Sequence, residues 1–347
     1  MIKDKIKNMM PKISIIIPCL NEEKYIATCI ESIVKSNIDH SKTELIFVDG
    51  LSGDNTVAII NGYILKYPFI KILSNPKKYT PISMNIGIKA SVGEYIFILS
   101  AHAQYEKEYF EKLINNIREL NADCVGGILI TDIKNKNKNK NKKSNSIKEV
   151  LSNRFGVGDA SFRTGTLKIK EVDTVAFGCY LRDVFSKYGY YDERLIRNQD
   201  IELNKRIING GGTIYLIPDV ECTYFARENF TALAKNNYSN GFWNILTAYY
   251  TKTLNSLSLR HFIPLLFVLS LLIPVVFSIV IPKFIYVSLF SLSSYLLLVI
   301  MISFKLRGGS NSFIYLMGSF FTLHISYGMG SLMGIFSVIS KYIKGNK

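Results

Sequence analysis

The chain has 347 residues and a formal net charge of +15, from 42 Lys and Arg against 27 Asp and Glu, so it can hold one large domain with an appendage or two modest domains. Part of the excess is local, because Lys134, Lys136, Lys138, Lys140, Lys142, Lys143 and Lys148 all sit in "KNKNKNKNKKSNSIK". That run has no interleaved aromatics, which argues against nucleic acid as a partner; the rest of the excess suits a protein lying against an anionic cytoplasmic leaflet.

In chain order, "MIKDKIKNMMPK" lacks an apolar centre and does not read as a secretory signal. Ile13 to Ile17 is a β-branched apolar run, expected as a buried parallel strand that stops at Pro18. Asn21 is the expected N-cap of a helix whose apolar positions are Tyr25, Ile26, Cys29, Ile30, Ile33 and Val34. Leu45 to Val48 predicts a second strand ending at Asp49, and "GLSGDNT" a polar turn before a helix over Thr56 to Leu65. Ile70 to Leu73, Pro81 to Ala90 and Tyr95 to Leu99 read as strand, helix and strand. This alternation predicts an open α/β sheet. Such sheets bind ligands beyond the carboxyl ends of their strands, where this chain carries Asn21, Glu22, Asp49, Asp54, Ser100 and His102. The lysine–asparagine run, 134–148, has nothing to bury and is expected as a disordered loop. Cys19, Cys29, Cys124, Cys179 and Cys222 show no CxxC spacing and are expected as reduced, buried thiols.

The stretches "ISIIIPCLNEEKYIATCIESI", "ELIFVDGLSGDNT", "NIGIKASVGEYIFILSAHAQY", "VAFGCYLRDVFSKYGYYDERLIRNQDIELNKRI" and "YSNGFW" follow in that order. Together they resemble a family 2 glycosyltransferase of the GT-A fold over residues 11–245. "SAHAQY", "NQDIELNKRI" and "HISYGMGSLMG" are most similar to the ExoA-like branch, whose members build succinoglycan and other exopolysaccharides on lipid carriers.

The resemblance implies roles that the residue chemistry supports. Asp49, at a strand end, can accept the imide N–H of uracil or the amino group of another base, and the family likeness makes it the base-binding aspartate. Pro18 and Glu22 would flank the nucleoside; a first-turn carboxylate favoured by the helix dipole is the competing reading of Glu22. Asp54 matches an aspartate that more often shapes its loop than touches ligand. In family members with D-x-D, the last aspartate ligates the metal and the first contacts ribose or a metal-bound water. Here His102 takes the last place, as in D-A-H, and is the candidate ligand for a divalent metal, Mn2+ or Mg2+. Ser100 replaces the first aspartate; its hydroxyl can bond ribose or water but carries no charge. That loss should weaken metal binding or shift the diphosphate's charge onto basic residues, with Lys77, Lys78 and Arg197 as candidates. Asp200 of "NQDIEL" falls at the family's general-base position, with Gln199 where others have glutamate. Such enzymes invert the anomeric centre by single displacement, so no enzyme nucleophile is expected.

From Phe262 to Ser340 the chain is almost wholly apolar, with stretches Phe262 to Ile281, Phe284 to Phe304 and Ser312 to Ser340. Arg260, Lys305 and Arg307 place their flanks in the cytoplasm. Lys341, Lys344 and Lys347 weigh against a third crossing, so two or three crossings both stand. Gly330 and Gly334 form a GxxxG that suits close helix packing. The expected organisation is a cytoplasmic GT-A domain (1–245), an interfacial linker (246–261) and a membrane domain (262–347) in the plasma membrane. "NNYSNGFWNI" lies where polymerising relatives carry Q-x-x-R-W; with only Trp243 retained, one addition per encounter is expected, while a membrane-surface helix is the rival reading. The implied function is inverting, hexosyltransferase-type transfer of a single sugar from a nucleotide-sugar donor, UDP-linked in expectation, to a polyprenyl-diphosphate-linked glycan acceptor. The alternative, prompted by Ser100, is a catalytically impaired nucleotide-sugar-binding scaffold. A dinucleotide-dependent oxidoreductase is set aside because "PCLNEE", not GxGxxG, follows the first strand.

Overall fold

The computed structural model describes residues 12–133, 141–226, 228–253 and 257–345. Most of the amino-terminal segment and Lys134, Lys136, Lys138 and Lys140 lie outside the described residues. The chain divides into two compact units, residues 1–130 with 161–225, and residues 131–160 with 226–347.

The first unit is built on one mixed sheet. Strands β1 (Ile13–Cys19), β2 (Thr43–Asp49), β3 (Ile70–Ser74) and β4 (Tyr95–Ile98) are parallel, in the order β3-β2-β1-β4. Chain order runs outward from β1 to β3 and then returns to β1's other side, so the direction of winding reverses between β1 and β4. The sheet continues from β4 through β8 (Ala176–Leu181), β6 (Cys124–Asp132), β9 (Ile214–Phe225) and β5 (Ala103–Tyr105), with β7 (Lys170–Glu171) on β9. The pairs β4–β8, β8–β6 and β5–β9 are antiparallel.

Both faces are covered. Ile15, Ile17, Leu45, Phe47 and Phe97 point into one core, and Ile16, Ile46, Val48, Ile96 and Ile98 into the other. A strand buried on both faces has no polar positions to alternate with, which is why these segments are apolar throughout. The open α/β sheet is as expected, and the first four strands lie within two residues of their predicted bounds. The five cysteines are free and buried.

Two details differ at the first strand. It runs through Pro18 to Cys19, and the following helix starts only at Ile26. Asn21 takes a left-handed backbone, φ 57°, and clamps the neighbouring loop instead of capping a helix. Its N–H donates to Ser52 Oγ at 2.9 Å, and its Oδ1 accepts from Gly53 N–H at 2.9 Å.

The opposite end of the sheet carries a buried polar knot. Glu44 Oε1 accepts from Ser14 Oγ and Val92 N–H, each at 2.6 Å, and Oε2 pairs with Lys71 at 2.6 Å. Burial opposes ionisation of Glu44, but Lys71, Ser14 and Val92 outweigh it and hold the carboxyl below its usual range. A depressed carboxyl stabilises the fold above the unfolded value, about 4.3, and that contribution fades as pH falls through the lower native value. Glu44→Gln should lower the apparent melting temperature at pH 7 by roughly 2–6 °C. Differential scanning fluorimetry should show the gap to wild type closing as pH falls below about 4.

The second unit is helical. The expected loop over 134–148 is in part a helix, Lys142–Leu151. Asn141 Oδ1 caps it by accepting Ser144 N–H at 3.2 Å, and its small residues Ser144 and Ser146 are buried with Ile147 and Val150. Lys148 pairs with Asp132 at 3.1 Å. Composition alone hid this helix, since three of its five buried residues, Ser144, Asn145 and Ser146, are polar. The expected linker over 246–261 begins inside a long helix, Phe230–Thr251. The first apolar stretch is helical only over Ile263–Phe277, 15 residues with Pro274 inside, about 22 Å at 1.5 Å per residue. Pro282–Leu306 and Phe313–Ile343 are long and apolar enough to cross a membrane, with mean hydropathies of 2.2 and 1.3.

Gly330 and Gly334 lie where helix Phe313–Ile343 meets helix Phe230–Thr251. A Cβ on Gly330 would fall 2.0 Å from Tyr238 O, and one on Gly241 2.0 Å from Tyr327 O. Glycine is therefore required on both sides of this crossing. Gly330→Ala should destabilise the protein by about 1–3 kcal/mol, whereas Gly62→Ala, where nothing lies within 4 Å, should leave it unchanged or up to about 1 kcal/mol more stable; melting of the detergent-solubilised variants compares the two.

Candidate functional site

A cavity of about 480 Å³ opens at the reversal point of the first unit, beyond the carboxyl ends of β1 and β4. β1 contributes Pro18, Cys19 and, past its end, Glu22; β4 leads into Ser100 and His102. Gln199 and Asp200, at the start of helix Gln199–Asn209, face the same space. Five of the six predicted site residues, Pro18, Glu22, Ser100, His102 and Asp200, thus line one cavity. Asp49 does not. It lies in register with Cys19 on the adjacent strand, Sγ to Oδ1 3.9 Å, and its carboxylate accepts from Ser52 N–H at 3.0 Å and Ser52 Oγ at 2.6 Å.

Glu22 and His102 meet. His102 Nδ1 lies 3.0 Å from Glu22 Oε1; a carboxylate only accepts, so Nδ1 carries the hydrogen and, in the neutral ring, Nε2 keeps its lone pair. The imidazole packs edge-on to Tyr224 at 5.1 Å and to Tyr25 at 6.2 Å between ring centroids. His102 O accepts Phe225 N–H at 3.2 Å, which ties the turn to β9. Ser100 is held through its backbone: its N–H donates to Tyr105 Oη at 2.9 Å and its carbonyl accepts from the same hydroxyl at 3.1 Å. Glu22 N–H donates to Thr56 Oγ1 at 2.7 Å. Asp54 shapes the loop, accepting from Thr56 N–H and Oγ1 and from Glu23 N–H.

Desolvation raises the pKa of Asp200, opposed by the Ile201 N–H that reaches Oδ1 at 2.9 Å. Its carboxylate is therefore more basic than a solvated aspartate. Cys19 also lines the cavity, but burial and then Asp49 push its thiol well above the usual value, which disarms it as a nucleophile.

The donor set fits a divalent metal only thinly. Among the described residues no three His, Cys, Asp or Glu side chains cluster as a metal site. His102 Nε2 can supply one ligand, with Glu22 behind it in the carboxylate–histidine arrangement that orients metal-binding imidazoles. The other ligands would have to come from substrate oxygens and water, as is usual for ions bound with phosphates.

Of the cations expected to help, Lys78 lines the cavity; Lys77 and Arg197 do not. The sequence reading missed Arg163, which does. "SFRTGTLK" carries no pattern that would single it out.

A parallel half-sheet with its crevice at the winding reversal, continued by antiparallel strands that bring a carboxylate over the same crevice, is the GT-A architecture. The glycosyl transferase family 2 model matches residues 14–183, so the chain carries a domain of that family and is a glycosyltransferase. Over 240 residues it is 29% identical to the dolichyl N-acetyl-alpha-D-glucosaminyl phosphate 3-beta-D-2,3-diacetamido-2,3-dideoxy-beta-D-glucuronosyltransferase of Methanococcus voltae, covering 66% of this chain and 71% of that protein. It is 25% identical over 223 residues to the succinoglycan biosynthesis protein ExoA of Rhizobium meliloti, covering 63% of this chain and 64% of ExoA. The crystal structure of S. aureus TarS 1-349 in complex with UDP-GlcNAc aligns with a TM-score of 0.48 at 17% identity, covering 72% of each chain.

If His102 is a ligand steered by Glu22, Glu22→Gln should weaken Mn2+-dependent nucleotide binding about 10–100-fold, and His102→Ala should abolish the Mn2+ dependence. Calorimetry with UDP and GDP, with Mn2+ or EDTA, reads both; an Mn2+ dependence intact in His102→Ala would sink the assignment.

Proposed function

We propose that the protein is a membrane-anchored inverting glycosyltransferase. It moves one sugar from a nucleoside-diphosphate donor to a polyprenyl-diphosphate-linked acceptor in cell-surface glycan or exopolysaccharide synthesis. The observation that carries this reading is the placement of Asp200 and the Glu22–His102 pair on one cavity of a family 2 domain. In this reading Asp49, Pro18 and Glu22 border the nucleoside, and Ser100 bonds ribose or water. Asp200 takes the proton of the acceptor hydroxyl as its oxygen bonds to the anomeric carbon. The bond from that carbon to the diphosphate breaks, and its electron pair leaves with the nucleoside diphosphate. A metal bound at His102 would stabilise the leaving group's charge.

The M. voltae relative is named for a dolichyl-linked acceptor and ExoA for succinoglycan synthesis, which supports a lipid-linked acceptor here. For the membrane part we favour a hairpin that enters at residue 263 and returns by Leu306. It would place Arg260 beside Lys305 and Arg307 on the cytoplasmic face. Its helices are joined by Ser270–Ser291 hydroxyls at 2.6 Å and by Ser288 Oγ donating to Leu271 O at 2.7 Å. The less apolar helix Phe313–Ile343, with buried Ser319, His324 and Ser331, would then pack along helix Phe230–Thr251 at the interface.

The test is turnover by the detergent-solubilised full chain, given prenyl-diphosphate-linked acceptors and a panel of UDP- and GDP-sugars. Asp200→Asn should lower kcat about 10²–10⁴-fold and leave donor binding intact. The base must be ionised and its pKa is raised, so the acid limb of kcat/KM should lie above that of an ordinary aspartate, about 3.9. Nucleotide binding with no turnover, unaffected by Asp200→Asn, would favour the scaffold reading.

A further inference from the structure

One cation in the cavity has no anion beside it among the described residues. Arg163, in the short helical turn Ser161–Thr164, lines the cavity. Its Nη1 is shut off from solvent and has no hydrogen-bond partner among the described residues. The guanidinium lies over the ring of Tyr224 at 5.5 Å and that of Phe162 at 5.6 Å. Tyr224 is the ring that backs His102, and its backbone is fixed opposite Ala103 across β5 and β9. Arg163 and His102 therefore share one anchored aromatic partner. A desolvated cation without a counter-charge is unfavourable, and burial works against the charge of this one. Such a group is kept where an incoming anion completes it. The planar guanidinium fork suits two phosphate oxygens at once, which an ammonium does not.

Building on the glycosyltransferase reading, we propose that Arg163 binds the diphosphate of the nucleotide-sugar donor and holds charge on it as it leaves. This is the side chain onto which the site shifts when Ser100 supplies no carboxylate to strengthen a metal. The aromatic pair sets the guanidinium's plane, and the same Tyr224 ring fixes its position relative to His102.

The experiment is calorimetric titration of the full chain in detergent with UDP, GDP, UMP, GMP and farnesyl diphosphate, in Mn2+ and in EDTA, for wild type, Arg163→Met and Arg163→Lys. Arg163→Met should weaken the two diphosphates about 10–100-fold and the monophosphates less than about threefold, with the larger loss in EDTA. Arg163→Lys keeps the charge without the fork and should fall between. If Arg163→Met does not fold, Arg163→Lys carries the test, with a loss confined to the diphosphates. Diphosphate affinity equal to wild type in the folded variants overturns the proposal. Loss of affinity for farnesyl diphosphate alone also overturns it, and moves Arg163 to the acceptor side. Wild-type protein that binds none of the four nucleotides removes the glycosyltransferase reading beneath it, a different failure from variants that bind as wild type does.

Discussion

Every residue of the site stands where it does because β1 is paired on both sides. β2 flanks one edge and β4 the other, both parallel to it, and helices cover the two faces. No polar group can enter the chain between Ile15 and Ile17 without being buried in one of two cores. Chemistry is possible only where the chain leaves the sheet, and the winding reversal makes β1 and β4 leave it side by side. Pro18, Cys19 and Glu22 therefore face Ser100 and His102 across a crevice that no crossover connection covers.

The buried knot at Glu44 is the counterpart at the other end. It ties the starts of β1 and β2 to the Ser91–Gly93 turn before β4, and Ser14 Oγ accepts Gly93 N–H at 2.8 Å. Fixing the strand starts fixes the register, and register decides which residue emerges first at the far end. Cys19 opposite Asp49 is the last pair of a ladder that begins at Ile13 and Thr43. The polar anchor and the crevice are two ends of one alignment.

How much of this was legible follows from sequence separation. The parallel strands were readable because burial on both faces writes itself as unbroken apolar runs. The strand-end residues were readable because they interrupt those runs. The Glu22–His102 contact was not, since 80 positions part its members and neither flanking segment hints at a partner. Helix Lys142–Leu151 was misread because Ser144, Asn145 and Ser146 share its buried side with only two apolar residues, Ile147 and Val150, too few to announce a core. Arg163 was invisible for a related reason: its contacts with Phe162 and Tyr224 leave no pattern in the sequence, and only the cavity around it gives it meaning.

Ser100, His102 and Arg163 then form one electrostatic argument. Replacing a carboxylate by a hydroxyl and another by an imidazole removes two negative charges from the strand end. The Arg163 guanidinium, packed on the same Tyr224 ring as His102, adds a positive one. Glu22, past the end of β1, is held on His102 Nδ1. The cavity thus presents Lys78 and Arg163 to an anion, while the Asp200 carboxylate sits at the start of helix Gln199–Asn209. With fixed cations able to share a diphosphate's charge, a single imidazole ligand need not hold a metal tightly for the leaving group to be stabilised. In the proposed reading Ser100 is tolerable because Lys78 and Arg163 already bring positive charge to the cavity.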